Sequence, residues 1–333
     1  MARTRYATDR GLIARMGATM FLLGLVFCAF ILVLFFVLFE YQRRRAGAGG
    51  DNGSSTGLIV IAAVIGIGSA FASYYWSDKI ALSASGARLV GPQDSPAAAR
   101  LHGTVDRLCA LADMPKPRVA IAPVQMPNAF ATGRSSKVAV VCATQGLLDR
   151  LDPEELEGVL AHEMSHVAHK DVAVMTIASF LGIVAALLVR FAFYSELFGG
   201  GGRGRGGGGR GNSQGGAIPI ILVVMVVGMV TYAVSFLLIR LLSRYRELSA
   251  DRSGALLTGR PSALASALVK VTGDMARIPT RDLRAAEPLN AFYFAPAFSK
   301  RAGQFSMSSI FSTHPPLEKR LKELDKISQQ LSR

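Results

Sequence analysis

The sequence predicts a mainly α-helical membrane protein with a smaller α+β soluble part. Half of the 333 residues are hydrophobic, and the mean hydropathy is positive, which is unusual for a soluble protein. The excess is concentrated in four long apolar runs. From about Ser77 onward, the segments between the later runs show the helix and strand patterns of a globular domain.

The first apolar run, Met16–Phe39, is uncharged and long enough to cross a bilayer as a helix. A cleaved signal peptide is the alternative, although the run is longer than the usual core of such a peptide. The second run, Gly57–Trp76, ends in the aromatic cluster Tyr74-Tyr75-Trp76, where a membrane-interface belt is expected. The two runs predict an amino-terminal membrane hairpin at residues 1–80, with spans at about 16–39 and 57–76.

The third and fourth runs, at about 172–189 and 217–239, interrupt a second predicted domain at residues 81–333. Either both runs cross the membrane or they form an apolar hairpin packed on the soluble part, so up to four transmembrane helices are predicted. The segment between them, Gly199–Gly216, is too rich in glycine to bury a core and is predicted to be a linker. Basic residues near both termini slightly favour a multi-pass protein of the cell membrane with its soluble part in the cytoplasm.

The formal net charge of +14 is carried by residues that flank the apolar runs and lie in the loops. No basic stripe interleaved with aromatic residues is present in the soluble part, so anionic lipid is the predicted partner and nucleic acid is not. The three cysteines, Cys28, Cys109 and Cys142, form no CxxC pair. A disulfide framework or a thiolate zinc site is therefore not predicted.

The soluble part contains one clear helix, three short strands and a second helix with a strong start signal. Apolar residues at helical spacing predict a helix at Ser95–Asp113. Asp152-Pro153-Glu154-Glu155 combines a capping residue, a proline at the first helical position and acidic residues in the first turn. The three strands are predicted at Pro117–Ala122, Asn128–Arg134 and Lys137–Cys142.

The second of these helices carries His162-Glu163-Met164-Ser165-His166. Histidines four residues apart lie on one face of a helix, so both imidazoles can bind one metal ion. Glu163 can then reach a metal-bound water without being a ligand itself. The alternative is a chance string of surface residues, because a pattern this short is only suggestive on its own.

A catalytic zinc site needs a third protein ligand. His169 is one candidate, although three histidines would then spread too far along the helix for one tetrahedral ion. Glu247 and Asp251 form a better pair, because carboxylates four residues apart share a helical face. One of them can bind zinc while the other orients a histidine ligand. A solvated helix face is the alternative interpretation, and other divalent ions can bind the same set of groups.

These segments together resemble the HtpX-type integral-membrane zinc metalloproteases, which are relatives of the CAAX prenyl proteases. The resemblance covers about residues 95–325 and the two amino-terminal spans. It implies a zincin-like α+β metalloprotease domain with one zinc ion per chain. The matching pieces, in order, are Asn128-Ala129-Phe130-Ala131-Thr132-Gly133, His162-Glu163-Met164-Ser165-His166, Ser243–Asp251 and Thr313-His314-Pro315-Pro316 followed by Arg320.

The resemblance implies that His162, His166 and Glu247 bind zinc, that Glu163 is the catalytic base and that Asp251 supports a ligand. It further implies a small sheet whose edge strand flanks the active-site helix. The remaining implied roles concern substrate: Asn128 and Ala129 pair with an extended peptide, while His314 and Arg320 face the cleft and help to hold substrate or the oxyanion.

The predicted function is that of a membrane-anchored zinc-dependent endopeptidase whose polypeptide substrates are damaged or misfolded membrane proteins. One alternative is a CAAX-type protease that cleaves prenylated proteins. Another is a non-catalytic membrane chaperone or scaffold with the same fold. Glu163 argues against the scaffold, because a scaffold has no need of a carboxylate beside two histidines.

Overall fold

The computed structural model describes residues 10–46, 68, 71–72, 74–171, 174–175, 178–179, 217–275 and 314–332. The chain divides into two compact units. The first, the apolar unit, comprises Gly17–Phe71 and Thr176–Ile239. The second, the site unit, comprises Met1–Met16, Ala72–Met175 and Arg240–Arg333. The predicted division at residue 80 stays a prediction.

Twelve helices and strands have bounds within the described residues. In chain order they are α1 (Arg10–Ala46), α2 (Ser77–Ser85), β1 (Arg88–Leu89), α3 (Pro96–Ala112), β2 (Arg118–Ala122), β3 (Ala129–Thr132), β4 (Val140–Thr144), α4 (Gln145–Arg150), α5 (Pro153–Ala168), α6 (Ala217–Thr258), α7 (Pro261–Met275) and α8 (Leu317–Leu331).

Two of the helices are long and apolar enough to cross a membrane, over Ile13–Val33 in α1 and Met225–Thr258 in α6. The first and fourth apolar runs are therefore helical, as predicted. Within the apolar unit, α1 exposes large aromatic side chains such as Phe21, Phe35 and Phe36, as expected for a surface in contact with lipid. The other two predicted spans and the linker at Gly199–Gly216 lie almost wholly outside the described residues, so four spans remain a prediction.

The site unit contains a four-stranded sheet in the order β1-β2-β4-β3. Strands β2 and β4 are parallel, whereas β3 is antiparallel to β4 and β1 is antiparallel to β2. Among the described strands, β3 therefore lies at an edge. The three predicted strands are present, although the last is shifted towards the carboxyl terminus because a turn occupies Ser135–Val138. The two-residue strand β1 was not predicted.

The predicted start of α5 is confirmed in detail. Pro153 is the first helical residue, and the backbone N–H of Asp152 donates to Glu155 Oε2 at 3.0 Å. Ser266 and Lys270 of α7 donate to the same carboxylate at 2.6 and 2.7 Å. Glu155 therefore both caps α5 and connects it to α7.

The core of the site unit lies between α3, α5, α7 and the sheet. Its fully buried side chains include Leu101 and Val105 of α3, Leu160 of α5, and Leu264 and Leu268 of α7. The predicted helix over Ser95–Asp113 is confirmed as α3, which has Ser95 as its capping residue. Burial of α5 on these sides fixes the orientation of the face that carries its histidines.

Candidate metal centre

Helix α5 presents His162 and His166 on one face, one turn apart. Their Nε2 atoms lie 3.3 Å apart, and the two rings meet edge to face with centroids 4.9 Å apart. His162 is fully enclosed, whereas the side chain of His166 is 12% exposed. Two imidazole nitrogens thus converge on one point at the end of a buried helix, as the spacing predicts.

Glu247 on α6 supplies the third group. Its carboxylate oxygens lie 3.7 Å from His162 Nε2 and 3.6 Å from His166 Nε2. A tetrahedral zinc ion with bonds of 2.0–2.2 Å separates its ligand atoms by about 3.3–3.5 Å. The two histidine nitrogens are 3.3 Å apart, as this geometry requires, and each has a different oxygen of Glu247 near it, at 3.6 and 3.7 Å. One ligand atom from each residue lies within 4.8 Å of the others, so the three side chains fit zinc after a small adjustment of Glu247. Among the described residues, these three side chains form the cluster of histidine, cysteine or acidic residues that could hold a metal ion.

Asp251 lies one turn beyond Glu247 on α6 and 2.9 Å from His162 Nδ1. Arg320 of α8 donates to both oxygens of this carboxylate, from Nε at 2.7 Å and from Nη2 at 2.6 Å. Burial opposes the charge of Asp251, but Arg320 and His162 hold its pKa below the usual value. Asp251 therefore stays ionised beside His162.

Asp171 lies at Nδ1 of His166, as Asp251 lies at Nδ1 of His162. His166 Nδ1–H donates to Asp171 Oδ2 at 2.6 Å, and Arg246 Nε lies 3.0 Å from that oxygen. Burial raises the pKa of this carboxyl, but the charges of Arg246 and His166 outweigh burial and lower it. Asp171 therefore also stays ionised. Neither Asp171 nor Arg246 was recognised from the sequence.

Glu247 is supported by His314, whose Nδ1–H donates to Glu247 Oε2 at 2.9 Å. Burial favours the neutral acid, yet His314 and His162 keep the pKa of Glu247 well below its usual range. Burial alone lowers the pKa of His162, but Asp251 and Glu247 raise it to about 9. A metal ion must displace this proton, so metal binding is expected to release protons.

Glu163 lies on α5 beside the edge strand. Its Oε2 accepts a hydrogen bond from the backbone N–H of Ala131 in β3 at 3.1 Å. Burial raises the pKa of this carboxyl, a shift that nearby Glu247 reinforces and the two histidines oppose. A carboxylate with a raised pKa accepts a proton more readily near neutral pH, as a general base must.

A family model for peptidase family M48 matches residues 95–328, a range that contains every side chain of the site. The chain belongs to peptidase family M48. The match also covers strands β2 to β4 and helices α3 to α7.

Proteins that are similar over almost the whole chain are named as proteases. "Protease HtpX homolog 1" of Streptomyces coelicolor is 53% identical and covers 99% of this chain and 97% of its own length. "Protease HtpX homolog" of Moorella thermoacetica is 47% identical over 99% of this chain and 98% of its own. A crystal structure of S. mikatae Ste24p aligns with a TM-score of 0.48 and 17% identity, covering 94% of this chain and 67% of that chain.

Within this M48 site, Arg320 and His314 contact the carboxylates of α6. Arg320 is 1% exposed and is bound to Asp251, because a guanidinium this deeply buried requires a carboxylate partner. His314 is buried and directs Nδ1 at Glu247. Both side chains therefore support the proposed ligand set, and their roles towards substrate stay predictions.

The other candidates from the sequence lie at the end of α5 and at the start of β3. His169 is the residue at which α5 ends, and it is absent from the ligand cluster. Asn128 lies one residue before β3. Its backbone N–H donates to the Thr144 hydroxyl, and its backbone C=O accepts from the Thr144 N–H. Ala129 begins β3 itself, so of the two it is the one within the edge strand.

Proposed function

We propose that this membrane-associated M48 metalloprotease is a zinc-dependent endopeptidase with the ligands His162, His166 and Glu247. The convergence of these three side chains carries the proposal, because one atom from each lies within 4.8 Å of the others, as a zinc site requires, and Glu163 follows His162 on the same helix. Membership of the peptidase family supports the reaction class. Three protein ligands leave a fourth position for water or substrate, as catalytic zinc sites require.

When bound, zinc supplies Lewis acidity that lowers the pKa of a bound water and polarises a substrate carbonyl. Glu163 takes the proton of the attacking water and later transfers it to the leaving amine. The Ala131 N–H holds this carboxylate in place through a hydrogen bond of 3.1 Å. Asp251, Asp171 and His314 hold the ligand side chains at Nδ1 of each histidine and at Oε2 of Glu247.

The substrate is proposed to bind as an extended peptide along β3. The Ala131 N–H points away from β4, since it reaches Glu163. Residues two apart on a strand present their backbone groups to the same side, so the N–H and C=O of Ala129 face the same outer edge. A peptide added there would make main-chain hydrogen bonds, which favour extended segments over particular side chains.

The proposed location is the cell membrane, with several spans, the site on the cytoplasmic side and anionic lipid around it. The two apolar helices and their exposed aromatic side chains support a membrane location. From this location we propose that misfolded or damaged membrane proteins are substrates. Cleavage of a destabilised variant of one membrane protein, with its folded parent left intact, is the expected result. Equal cleavage of both would contradict this substrate choice.

The decisive experiment measures proteolysis of an unstructured polypeptide by detergent-solubilised protein in zinc-loaded, chelated and Glu163→Gln forms. Activity is expected in the zinc-loaded form only, and Glu163→Gln is expected to retain zinc because Glu163 is not a proposed ligand. Cleavage by Glu163→Gln at the wild-type rate would show that the proposed base is wrong. Zinc binding by all forms without any cleavage would favour the chaperone alternative, and competition by a prenylated peptide would favour the CAAX-type alternative.

A further inference from the structure

Two buried ion pairs stand behind the proposed ligands, and of their four residues only Asp251 was assigned a supporting role from the sequence. Asp251 and Arg320 lie behind His162. Asp171, with Arg246, lies behind His166. The Asp171 side chain is 4% exposed and that of Arg246 is 12% exposed, so water competes little for either contact.

The end of helix α5 and the backbone conformation of Lys170 bring Asp171 to His166. Residues five apart on a continuous helix point about 140° away from each other, and their side chains do not meet. Helix α5 ends at Ala168, and Lys170 adopts a positive φ of 57°, which is uncommon for a residue with a side chain. This change in backbone direction places the Asp171 carboxylate 2.6 Å from His166 Nδ1.

The contact fixes which nitrogen of His166 carries the proton. Asp171 Oδ2 lies 3.0 Å from the Arg246 guanidinium, and a carboxylate paired with a guanidinium accepts hydrogen bonds, so in a neutral His166 ring the proton lies on Nδ1. The lone pair is then on Nε2, the atom that faces His162 and Glu247. A carboxylate behind a ligand imidazole holds the ring in the binding tautomer and orientation and increases its basicity.

Arg246 connects the carboxylate behind His166 to the helix that carries Glu247. It is adjacent in sequence to the proposed ligand Glu247, and its Nε lies 3.0 Å from Asp171 Oδ2. The same turn of α6 therefore delivers one ligand to the cluster and one cation to the carboxylate that supports another ligand.

We propose that Asp171 and Arg246 are positioning residues that hold His166 with Nε2 directed at the metal, an inference that rests on the proposed function. Neither residue belongs to the proposed ligand set. Asp171 acts through the His166 ring, and Arg246 acts by keeping Asp171 in place. Loss of such a partner lowers metal affinity or activity by about 10- to 100-fold in comparable sites.

The test measures zinc affinity by competition with a chromophoric chelator for wild type, Asp171→Ala, Asp171→Asn and Asp106→Ala. Asp106 is an exposed acid paired with Lys116, so Asp106→Ala is the matched control with unchanged affinity. Asp171→Ala is expected to weaken zinc binding by about 10- to 100-fold. Asp171→Asn keeps an oxygen that accepts from Nδ1–H, and it is expected to lie between Asp171→Ala and wild type.

A second readout separates positioning from a general loss of structure. With Co²⁺ in place of zinc, Asp171→Ala is expected to change the visible absorption spectrum, and kcat is expected to fall more than KM. Arg246→Lys is expected to bind zinc more tightly than Arg246→Ala, because it retains the charge beside Asp171. Wild-type zinc affinity and an unchanged Co²⁺ spectrum in Asp171→Ala would overturn the inference, even if its melting temperature fell.

The failure of this inference is distinguishable from failure of the proposed function. If wild type binds no zinc and Glu163→Gln is as active as wild type, the proposed function fails. If wild type binds zinc and loses it with Glu247→Ala, while Asp171→Ala binds normally, only the positioning inference fails.

Discussion

At the residue scale, Arg320 and Asp251 form a buried ion pair in which each partner compensates the charge of the other. Both residues are 1% exposed, and the guanidinium binds both carboxylate oxygens. Removal of one partner leaves a buried charge without compensation, which costs more than the intact pair contributes. The pair also decides whether Asp251 stays ionised beside His162, so stability and metal binding are connected here.

Arg320→Met is therefore expected to lower the free energy of unfolding by about 3–5 kcal/mol and to weaken zinc binding. Thermal unfolding of the detergent-solubilised protein measures the first effect, and chelator competition measures the second. The matched control is Arg260→Met, because Arg260 pairs with Glu154 at 3.5 Å on an exposed surface, where such pairs contribute about 0–1 kcal/mol. Equal losses in the two variants would contradict the assignment.

Glu155 gives a pH-dependent prediction that does not involve the metal. Burial opposes its charge, but Lys270 and Ser266 hold its pKa below the usual value. A carboxyl with a lowered pKa in the folded protein stabilises it above the unfolded value of about 4.3, and this stabilisation is lost as the pH falls through the folded value. Glu155→Gln is therefore expected to lower the melting temperature at pH 7.

The difference in melting temperature between wild type and Glu155→Gln is expected to shrink as the pH is lowered below about 4. A series of melting curves between pH 3 and pH 7 measures it. Glu154→Gln is the control, because the Glu154 side chain is 57% exposed. A Glu155→Gln difference that stays constant across this range would show that the carboxylate charge does not contribute.

The residues that could be predicted from the sequence are those whose relation depends on a regular helix. His162 with His166, and Glu247 with Asp251, are four apart, so their common faces follow from helix geometry alone. Asp171 could not be predicted in this way, since its contact with His166 depends on the positive φ of Lys170. A lysine carries no local signal for that conformation, unlike a glycine or an asparagine.

At the element scale, the meeting of α5 and α6 depends on a glycine. Gly254 lies one turn beyond Asp251 on α6, and a Cβ there would lie 2.9 Å from the backbone nitrogen of His162. Backbone atoms cannot move aside as the end of a flexible side chain can. The close approach of these helices brings the carboxylates of α6 within reach of His162 and His166.

Gly254→Ala is expected to push α6 away from α5 and to weaken zinc binding by about tenfold or more, because supporting geometry is lost. Chelator competition measures the change. Gly103→Ala is the control, since a Cβ at Gly103 in α3 meets nothing within 4 Å and alanine favours a helix interior by about 0.5–1 kcal/mol. Unchanged zinc affinity in Gly254→Ala would show that the helices tolerate a wider separation.

The elements themselves were predictable to different degrees. Helices α3 and α5 have Ser95 and the Asp152-Pro153 pair at their starts, and such capping signals are local in sequence. The sheet order was not predictable, because the parallel pairing of β2 with β4 places β3 at the edge through contacts distant in sequence. Strand β1 escaped prediction because two residues are too few to show alternation.

At the scale of the whole molecule, the proposed metal joins helices that are far apart in sequence. Its ligands come from α5 and α6, and α8 supports them through Arg320. A ligand that binds only the folded state stabilises it by mass action, by about 4 kcal/mol at a free concentration of 1,000 times Kd. Zinc should therefore stabilise the site unit as a whole.

Chelation with EDTA is expected to lower the melting temperature of the wild type and to abolish proteolysis. The variant Glu247→Ala lacks one of the proposed ligands, so its melting temperature is expected to respond much less to EDTA. Re-addition of zinc should restore the wild type and leave the variant unchanged. An equal response of both proteins to EDTA would show that the stabilising metal binds elsewhere.

The order of the site residues along the chain has a consequence for biosynthesis. His162, Glu163 and His166 are synthesised before the third and fourth apolar runs, whereas Glu247 and Asp251 follow these runs and Arg320 comes later still. A nascent chain therefore carries the two histidines before it carries the third proposed ligand and the arginine behind Asp251. The complete proposed ligand set is expected to bind zinc only after both apolar runs have been synthesised.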